Sequence, residues 1–372
     1  MKGGGVRAAD TKHGRRKIMK AGAFFAGLAV IATTLLSIDT VPANAQDKKP
    51  YTIYLSNNFV GNDWRQQMLR SADIAVKKPP LAGRVDLKVE VVETTVQAQI
   101  NSLNNIIRNK PDAIVIDAGS GEALNPTIEK ACKAGIVVIA FDQIVSAPCA
   151  YTMESDWGRA PRVEAEWLVK KLGGKGKILV DRGLASAPIS AQLQGGFEEV
   201  IKKYPGIEVV GYFNGDYALG PEQAGVASLL AAHPQVDAIF VQGYGAGAIK
   251  ALQDAGRPIV PITGSPFNLT TTTCAQTQGA QCILAPNPAY LSAEALKLAV
   301  EILDGNKPAE KKILLRNAFL TTDPVPSGLY PDATMQKIDV GKNAFPDMAP
   351  GLFLPVSPDW VEITPAEAAG SK

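Results

Sequence analysis

Histidine is almost absent from this chain: 2 of its 372 residues are histidines, His13 and His233. His13 lies in a segment that we expect to be removed on export, so His233 alone would remain. A Ser-His-Asp triad or a zinc site with several histidine ligands would have to be built around that one residue. The sequence also has no nucleophile elbow and no phosphate-binding glycine loop. We therefore predict no catalytic residues, no metal and no cofactor.

Long apolar runs are scarce too. The run Ala21–Leu36 is too short, and too rich in Ala and Gly, to indicate a membrane span. It follows Arg15-Arg16-Lys17 and precedes Ala43-Asn44-Ala45, the small-x-small pattern that a signal peptidase cleaves. This predicts that residues 1–45 are a signal peptide cleaved after Ala45, used by either the general or the twin-arginine export route. The mature chain is then expected in the periplasm, without membrane insertion.

Neither sign of charge dominates the mature chain. Without residues 1–45, 31 of the 38 Lys and Arg residues and 34 of the 36 Asp and Glu residues remain, a net charge of −3. A chain of this charge has little attraction for nucleic acid or for an anionic membrane surface. Its remaining 327 of 372 residues are enough for two domains of ordinary size.

Cysteine is sparse, with four residues, Cys132, Cys149, Cys274 and Cys282. Their spacings are not typical of a zinc site. An even number in an oxidising compartment predicts two disulfides, for which three pairings are allowed. The pairs Cys132–Cys149 and Cys274–Cys282 are favoured because each encloses one helix-to-strand or strand-to-loop passage. Four free buried thiols are the alternative.

Strand-like and helix-like segments alternate along Tyr51–Leu303. The apolar runs Ala113–Ile116 and Ile136–Ala140 are typical of strands in a sheet covered on both faces, and Val96–Arg108 has the pattern of a helix. Short connections between such segments imply right-handed βαβ crossovers, hence a doubly wound parallel sheet. A second round of the alternation starts near Asp156. We therefore predict an α/β fold of two lobes with a ligand cleft between them.

The stretch Ser56–Met68 joins the first predicted strand to the first helix, so it lies at the carboxyl edge of the sheet, where ligands bind. It contains Asn57, Asn62, Trp64 and Arg65. A sugar ring needs this combination, because its C–H face stacks on an aromatic ring while its hydroxyls need polar partners. The alternative is that Trp64 and Met68, at i and i+4, belong to the buried stripe of that helix.

The loops after later strands carry similar side chains. Each offers an amide, a hydroxyl, a carboxylate or a phenol at a strand's carboxyl end: Asp142, Gln143, Tyr217, Gln242, Tyr244, Ser265 and Asn287. Taken singly, each is better explained as a turn or cap residue. Their recurrence at one edge, together with Trp64, favours a neutral polyol as the ligand.

Residues 50–305 resemble the periplasmic sugar-binding proteins of ABC importers, of the ribose- and galactofuranose-binding type. The resemblance rests on Asn62–Arg65, Asn104–Asp117, Ala134–Gln143, Gly215–Tyr217, Ala246–Gly256 and Pro286-Asn287. It implies a type I periplasmic binding fold whose lobes are joined by a hinge of three crossings, near Thr152–Asp156, Ala285–Pro288 and Lys312–Asn317. The predicted parts are lobe one at 46–154 and 286–313, lobe two at 155–285 and 314–330, and a C-terminal extension at 331–372.

By the same resemblance, four residues would contact the sugar from lobe one: Asn62, Trp64, Arg65 and Asp142. Tyr217 would form an aromatic wall from lobe two. No catalytic step is implied for either lobe.

Several positions depart from the family pattern. Gln143 stands where an Arg is usual, Gly243-Tyr244 where an Asn-Asp pair is usual, and Ser265 where an Asp is usual. The Arg expected shortly before Gly196-Phe197 is also missing. These changes remove two cations and at least one carboxylate from the expected pocket, so neither ribose nor galactofuranose is expected as the specific ligand.

The stretch from Arg316 onward resembles the family only weakly. It is rich in Pro and aromatic residues, among them Phe345, Phe353 and Trp360. We expect an irregular wrap over the lobes or the hinge, with a frayed end at Ala366–Lys372. A contact surface for a partner protein is the alternative.

The sequence therefore predicts a monomeric periplasmic receptor that binds a monosaccharide or related polyol and delivers it to ABC permease subunits, without catalysis. One alternative is a secreted carbohydrate-active enzyme, in which Asp142 would pair with a second acid such as Asp63 or Glu154. Another is a sugar sensor that reports to a membrane receptor.

Overall fold

The structure is a computed structural model, and it describes residues 49–92, 95–185, 188–323 and 333–371. The predicted signal peptide at 1–45 lies outside the described residues, as do 324–330 of the predicted second lobe. Within the described part, no helix has the length and apolar character needed to cross a membrane.

Strands and helices alternate through most of the described chain. The strands are β1 (Tyr51–Asn57), β2 (Val85–Val91), β3 (Ala113–Asp117), β4 (Val137–Phe141), β5 (Tyr151–Ser155), β6 (Lys175–Asp181), β7 (Gly206–Phe213), β8 (Ala238–Phe240), β9 (Ile262–Gly264), β10 (Cys282–Leu284), β11 (Lys312–Leu315), β12 (Phe319–Thr321) and β13 (Met335–Lys337). The helices are α1 (Asp63–Ala75), α2 (Val96–Arg108), α3 (Asn125–Lys133), α4 (Ala160–Lys171), α5 (Pro188–Ile201), α6 (Leu219–Ala232), α7 (Ala246–Asp254), α8 (Asn268–Gln276), α9 (Leu291–Leu303) and α10 (Pro365–Ala369).

The strands form two sheets, which confirms the predicted α/β fold of two parallel-sheet lobes. The first sheet has the order β2-β1-β3-β4-β5-β11, with every pairing parallel. The second has the order β7-β6-β8-β9-β10-β12-β13. In it β12 runs antiparallel to β10, and the other pairings are parallel.

The apolar runs of the central strands explain why both faces of each sheet are covered. In β3, Ala113 and Val115 join the core beneath α1 and α9, while Ile114 and Ile116 join the core beneath α2 and α3. This alternation follows from the two-residue period of a strand. The helix α2 has the predicted bounds, begins at the cap residue Thr95, and buries Leu103, Ile106 and Ile107.

The chain passes between the sheets three times within the described residues. It does so after β5, between β10 and α9, and after β11. The strands β5 and β11 were not predicted, and β11 extends to Leu315, two residues past the predicted limit at 313. The lobe boundaries and the hinge itself stay predictions.

Both predicted disulfides, Cys132–Cys149 and Cys274–Cys282, are present, and each spans a Cα–Cα distance of 6.3 Å. The first links α3 to the segment before β5. The second links α8 to the start of β10. Since Cys282 begins its strand, this bridge lies at the amino edge of the second sheet, opposite the loops that follow the strands.

The expectation of an irregular C-terminal wrap with a frayed end is wrong in part. The strands β12 and β13 extend the second sheet, and α10 covers residues that we expected to fray. The helix forms because Thr364 and Glu367 make a reciprocal capping box and Gly370 ends it in the left-handed conformation. We call residues 338–370 the C-terminal arm. Its apolar side chains enter the second core, as Leu352, Leu354, Val361 and Ile363 show.

Candidate functional site

Arg65 lies at the centre of a buried polar cluster at the carboxyl edge of the first sheet. Its guanidinium forms an ion pair with Asp117, the last residue of β3, and its Nη1 donates to Asn57 Oδ1 at 2.7 Å. Asn57 is the last residue of β1. The Arg65 Nη2 lies 3.8 Å from Asp142 Oδ2, and with the Gln143 amide turned so that its oxygen faces Arg65, Nη2 donates to that oxygen at 2.6 Å. Four of the predicted site residues therefore meet here: Asn57, Arg65, Asp142 and Gln143.

A second group of contacts ties this cluster to the crossing after β10. Asn287 donates from Nδ2 to Asp142 Oδ1 at 2.9 Å and accepts from Ser155 Oγ at 2.8 Å. Its carbonyl oxygen accepts from Trp64 Nε1 at 2.6 Å. Asp142 adopts a left-handed φ of 57°, a strained conformation that is concentrated at functional sites. The predicted residues Asp142 and Asn287 are thus joined where the chain passes between the sheets.

Trp64 and Asn62 have structural roles that bear on their predicted ligand contacts. Only 7% of the Trp64 surface is exposed, and its ring belongs to the same core as Met68. This packing agrees with the alternative that Trp64 is part of the helix stripe. Asn62 is exposed and caps α1, because its Oδ1 accepts from the Arg65 backbone N–H at 2.9 Å. Ligand contact by either residue stays a prediction.

In the second lobe, the buried carboxylate of Asp181 organises the loops after β6, β7 and β8. It accepts backbone N–H bonds from Gly183 at 2.8 Å, Gly215 at 2.7 Å and Gln242 at 3.1 Å. Burial raises the pKa of Asp181, while these donors oppose the rise. Because one side chain binds three loops, the edge that they form is held in one arrangement.

Tyr217, Ser190 and Gln242 form a hydroxyl and amide cluster at that edge. The Tyr217 hydroxyl lies 2.7 Å from Ser190 Oγ and donates to Gln242 Oε1 at 3.2 Å. Tyr217 also has a left-handed φ of 52°. Burial raises the pKa of Tyr217, and Asp181 and Asp142 raise it further, so the phenol stays protonated near neutral pH.

Tyr244 forms an aromatic wall on the same edge. Its ring stacks on Phe267 with 3.9 Å between centroids, and Phe267 meets Phe353 edge to face at 4.7 Å. Burial raises the pKa of Tyr244 to about 12, and Asp63 and Glu222 add to the rise. Ser265 is half-buried, and its backbone N–H donates to the Gly243 carbonyl at 2.7 Å. The Ser265 backbone thus holds the loop beside Tyr244.

Glu222 holds the backbone of the loop that carries Tyr244. Its carboxylate accepts from the backbone N–H groups of Tyr244 at 2.8 Å, Gly245 at 2.9 Å and Ala248 at 3.1 Å, at the start of α7. A carboxylate is favoured at a helix N-terminus, where backbone donors are unpaired. Burial nevertheless raises the pKa of Glu222 to about 7.

The site residues missed by sequence reasoning are mostly buried acids and hydroxyls that hold the loops: Asp117, Ser155, Asp181, Ser190 and Glu222. A signal existed for two of them. Asp117 and Asp181 each end an apolar strand, as Asn57 does, and a polar residue in that place lies at the ligand edge. Glu222 and Ser190 lie on helices, where neither spacing nor composition distinguishes them from solvent-facing residues.

Two of the acids considered for an enzyme have partners of other kinds. Glu154 pairs with Lys312 at 3.0 Å on the neighbouring strand β11. Asp142 pairs with Asn287 and Arg65. Glu154 is therefore directed toward β11.

A cavity of about 420 Å³ lies away from this edge, between α9, the end of β11 and the C-terminal arm. Its cations are already paired, Lys297 with Glu301 and Arg316 with Asp156. Tyr290 in its wall donates to Asn317 Oδ1 at 2.8 Å. We therefore place the candidate ligand site at the polar strand ends and not in this cavity.

Two α/β lobes with polar loops at the strand ends are typical of proteins that bind a small solute. The family model described as periplasmic binding protein domain matches residues 53–307, and the chain belongs to that family. The C-terminal arm lies outside the matched residues.

Named relatives and solved structures agree with this assignment. The chain is 27% identical over 247 residues to a xylitol-binding protein of Mycolicibacterium smegmatis, covering 64% of this chain and 67% of the relative. It is 22% identical over 297 residues to the ribose import binding protein of Salmonella typhimurium, covering 78% and 98%. These relatives are named as binding proteins rather than as enzymes.

Among solved structures, an ABC transporter solute binding protein from Thermobispora bispora matches with a TM-score of 0.63 at 26% identity, covering 74% of this chain and 85% of the other. A periplasmic solute binding protein from Actinobacillus succinogenes with bound D-allose matches with a TM-score of 0.63 at 22% identity, covering 73% and 97%. At 22% identity, the match to the second structure shows only that the two folds are alike.

Proposed function

We propose that the mature protein binds a neutral sugar or polyol between its lobes and delivers it to the permease of an ABC importer. The observation that carries the proposal is the charge balance of the site. The Arg65 cation is paired with Asp117 and lies near Asp142, while the second lobe presents the protonated phenol of Tyr217 and the amide of Gln242. Hydroxyls and amides that donate and accept suit a ligand rich in hydroxyl groups.

The relatives support the same ligand class, since their names specify xylitol and ribose. We infer a polyol or monosaccharide other than ribose or galactofuranose, because Gln143 and Ser265 replace charged residues of that pattern. The proposal includes a periplasmic location, a monomer, and release of the ligand unchanged.

A thermal-shift screen of the mature protein against neutral sugars and polyols tests the proposal. At least one should raise the melting temperature, since a ligand that binds only the folded state stabilises it, and calorimetry should give one site per chain. Tyr217→Phe removes one hydroxyl and should weaken binding about tenfold. Tyr54→Phe is the matched control, because its hydroxyl contacts Asn109 at the end of α2.

The proposal fails if no neutral sugar or polyol shifts the melting temperature. Chemical conversion of a bound sugar would instead support the enzyme alternative. Recovery of the ligand unchanged, together with binding to a permease, is the expected result.

A further inference from the structure

The C-terminal arm contacts both lobes through three consecutive residues. The backbone of Phe353 is bonded in both directions to the Gln67 side chain of α1, at 2.7 and 2.8 Å. On the other edge of the arm, the Leu352 carbonyl accepts from Asn268 N at 2.7 Å, and Leu354 N donates to the Pro266 carbonyl at 2.9 Å. Phe353 thus connects the first lobe to the loop before α8 in the second.

The ring of Phe353 makes the same connection. It is 3% exposed and lies in the core of the first lobe that includes Trp64 and Met68. Its edge meets the ring of Phe267, on which Tyr244 stacks. A continuous row of aromatic contacts therefore joins Tyr244, a candidate ligand residue of the second lobe, to the core that holds Trp64.

Gly351 brings the arm against the first residue of α1. A Cβ at Gly351 would lie 2.7 Å from Asp63 Cβ, closer than real Cβ contacts come. Asp63 precedes Trp64 and Arg65, and after burial its charge is the next cause that raises the pKa of Tyr244. Only glycine lets the arm approach the helix this closely.

The rest of the arm is also anchored on α1 and on the turn that follows it. Arg70 Nε donates to the Ala368 carbonyl at 2.7 Å, and Lys78 pairs with Glu367 at 2.7 Å. The apolar side chains of the arm remain in the second core. The arm is therefore a fixed connection between the lobes, in addition to the three passages of the chain.

We propose that the C-terminal arm is a structural part of the ligand site. Through Phe353 and Gly351 it positions the first turn of α1, with Trp64 and Arg65, against the Tyr244 wall. Phe353, Gly351 and Gln67 are positioning residues, since they act through α1 and Phe267. The arm lies beyond residue 307, where the family match ends. Its effect on affinity rests on the proposed function, whereas its effect on α1 does not.

Gly351→Ala tests the proposal, because the new methyl group must displace the arm or the start of α1. Gly220→Ala is the matched control, since a Cβ there meets nothing within 4 Å. Asp63→Gly combined with Gly351→Ala removes the clash and is compared with Asp63→Gly alone, since glycine at the first residue of α1 itself loosens that turn. Two measurements are made on each protein: hydrogen exchange of the 65–68 amides without ligand, and calorimetric affinity for xylitol and D-allose as probes.

We expect Gly351→Ala to speed exchange at residues 65–68 and to weaken binding of a probe about tenfold through lost preorganisation. An overpacked contact also costs stability, so the comparison with Gly220→Ala is made where both proteins are fully folded, and the double variant should match Asp63→Gly in both properties. Unchanged exchange and affinity in Gly351→Ala would overturn the proposal, and so would a double variant that exchanges and binds like Gly351→Ala rather than like Asp63→Gly.

The test also covers two further cases: no binding of either probe, and failure of Gly351→Ala to fold. If neither probe binds the wild type, exchange alone decides the arm's role, and the screen of the preceding section decides the ligand. If Gly351→Ala does not fold, Gln67→Leu replaces it, since that change removes both bonds to Phe353 at nearly constant volume. Wild-type exchange at 65–68 in Gln67→Leu would then overturn the proposal.

Discussion

The Arg65 guanidinium and the Asp117 carboxylate form an ion pair that is almost completely buried, with 4% and 0% of their side chains exposed. Burial raises the pKa of Asp117, and the guanidinium opposes that rise. The ion pair links α1 to the end of β3. Arg65 is thus a structural residue as well as a candidate ligand residue.

Arg65→Ala should lower the free energy of unfolding by about 3–5 kcal/mol, because it leaves a buried carboxylate without its partner. Arg65→Leu combined with Asp117→Leu should lose less than the two single changes together. Denaturant unfolding measures each value. Lys77→Ala, in an exposed pair with Asp73, is the control and should change stability by less than about 0.5 kcal/mol.

Trp64→Ala should cost about 3–5 kcal/mol of stability, since its ring is part of the core. If the ring also stacks on the ligand, affinity should fall roughly ten- to a hundredfold. Calorimetry under conditions where the variant stays folded separates the two effects. Wild-type affinity in folded Trp64→Ala protein would show that Trp64 is a core residue only.

Trp64→Phe provides a milder test, because it removes the bond from Nε1 to the Asn287 carbonyl and keeps most of the apolar contact. We expect a loss of about 1 kcal/mol in unfolding free energy. Trp167→Phe is a matched control in the second lobe, since the buried Nε1 of Trp167 has no hydrogen-bond partner in the described structure. Equal losses in the two variants would argue against a stabilising role for the Asn287 contact.

Glu222 should make stability depend on pH near neutrality. Burial raises its pKa from 4.5 to about 7, so its contribution is full below about pH 4.5 and is lost as the pH rises through 7. This rise in pKa corresponds to a contribution of roughly 3 kcal/mol to the free energy of unfolding. Unfolding free energies of wild type and Glu222→Gln should therefore diverge between these pH values, with the wild type losing more. The exposed Glu199 has a lowered pKa, and Glu199→Gln should show no such divergence.

Replacing Cys274 and Cys282 by Ala together should cost about 2–3 kcal/mol, because their bridge closes a loop with a sequence separation of 8. Replacing Cys132 and Cys149 by Ala should cost about 3 kcal/mol, since their bridge closes a longer loop, with a sequence separation of 17. Denaturant unfolding of the two double variants gives the comparison. Four alkylatable thiols in native, unreduced protein would contradict both expectations.

The local patterns of the sequence determined much of the fold. The buried runs of β3 and β4 and the bounds of α2 follow from apolar periodicity and capping, which depend on neighbours within a few residues. The strands β5, β11, β12 and β13 were missed because they are short and depend on pairing with strands distant in the chain. Helix α10 was also missed, because its capping box follows a stretch dominated by proline and aromatic residues.

For the site, the sequence determined which residue types lie at the carboxyl edges, because strand ends are readable from apolar runs. Only the tertiary structure decided which of them meet. Arg65, on α1, joins Asn57, Asp117 and Asp142 from three different strand ends, and Gln67 binds Phe353, which is 286 positions away. Such contacts depend on how the lobes and the C-terminal arm pack, and packing is a property of the whole chain that no local pattern contains.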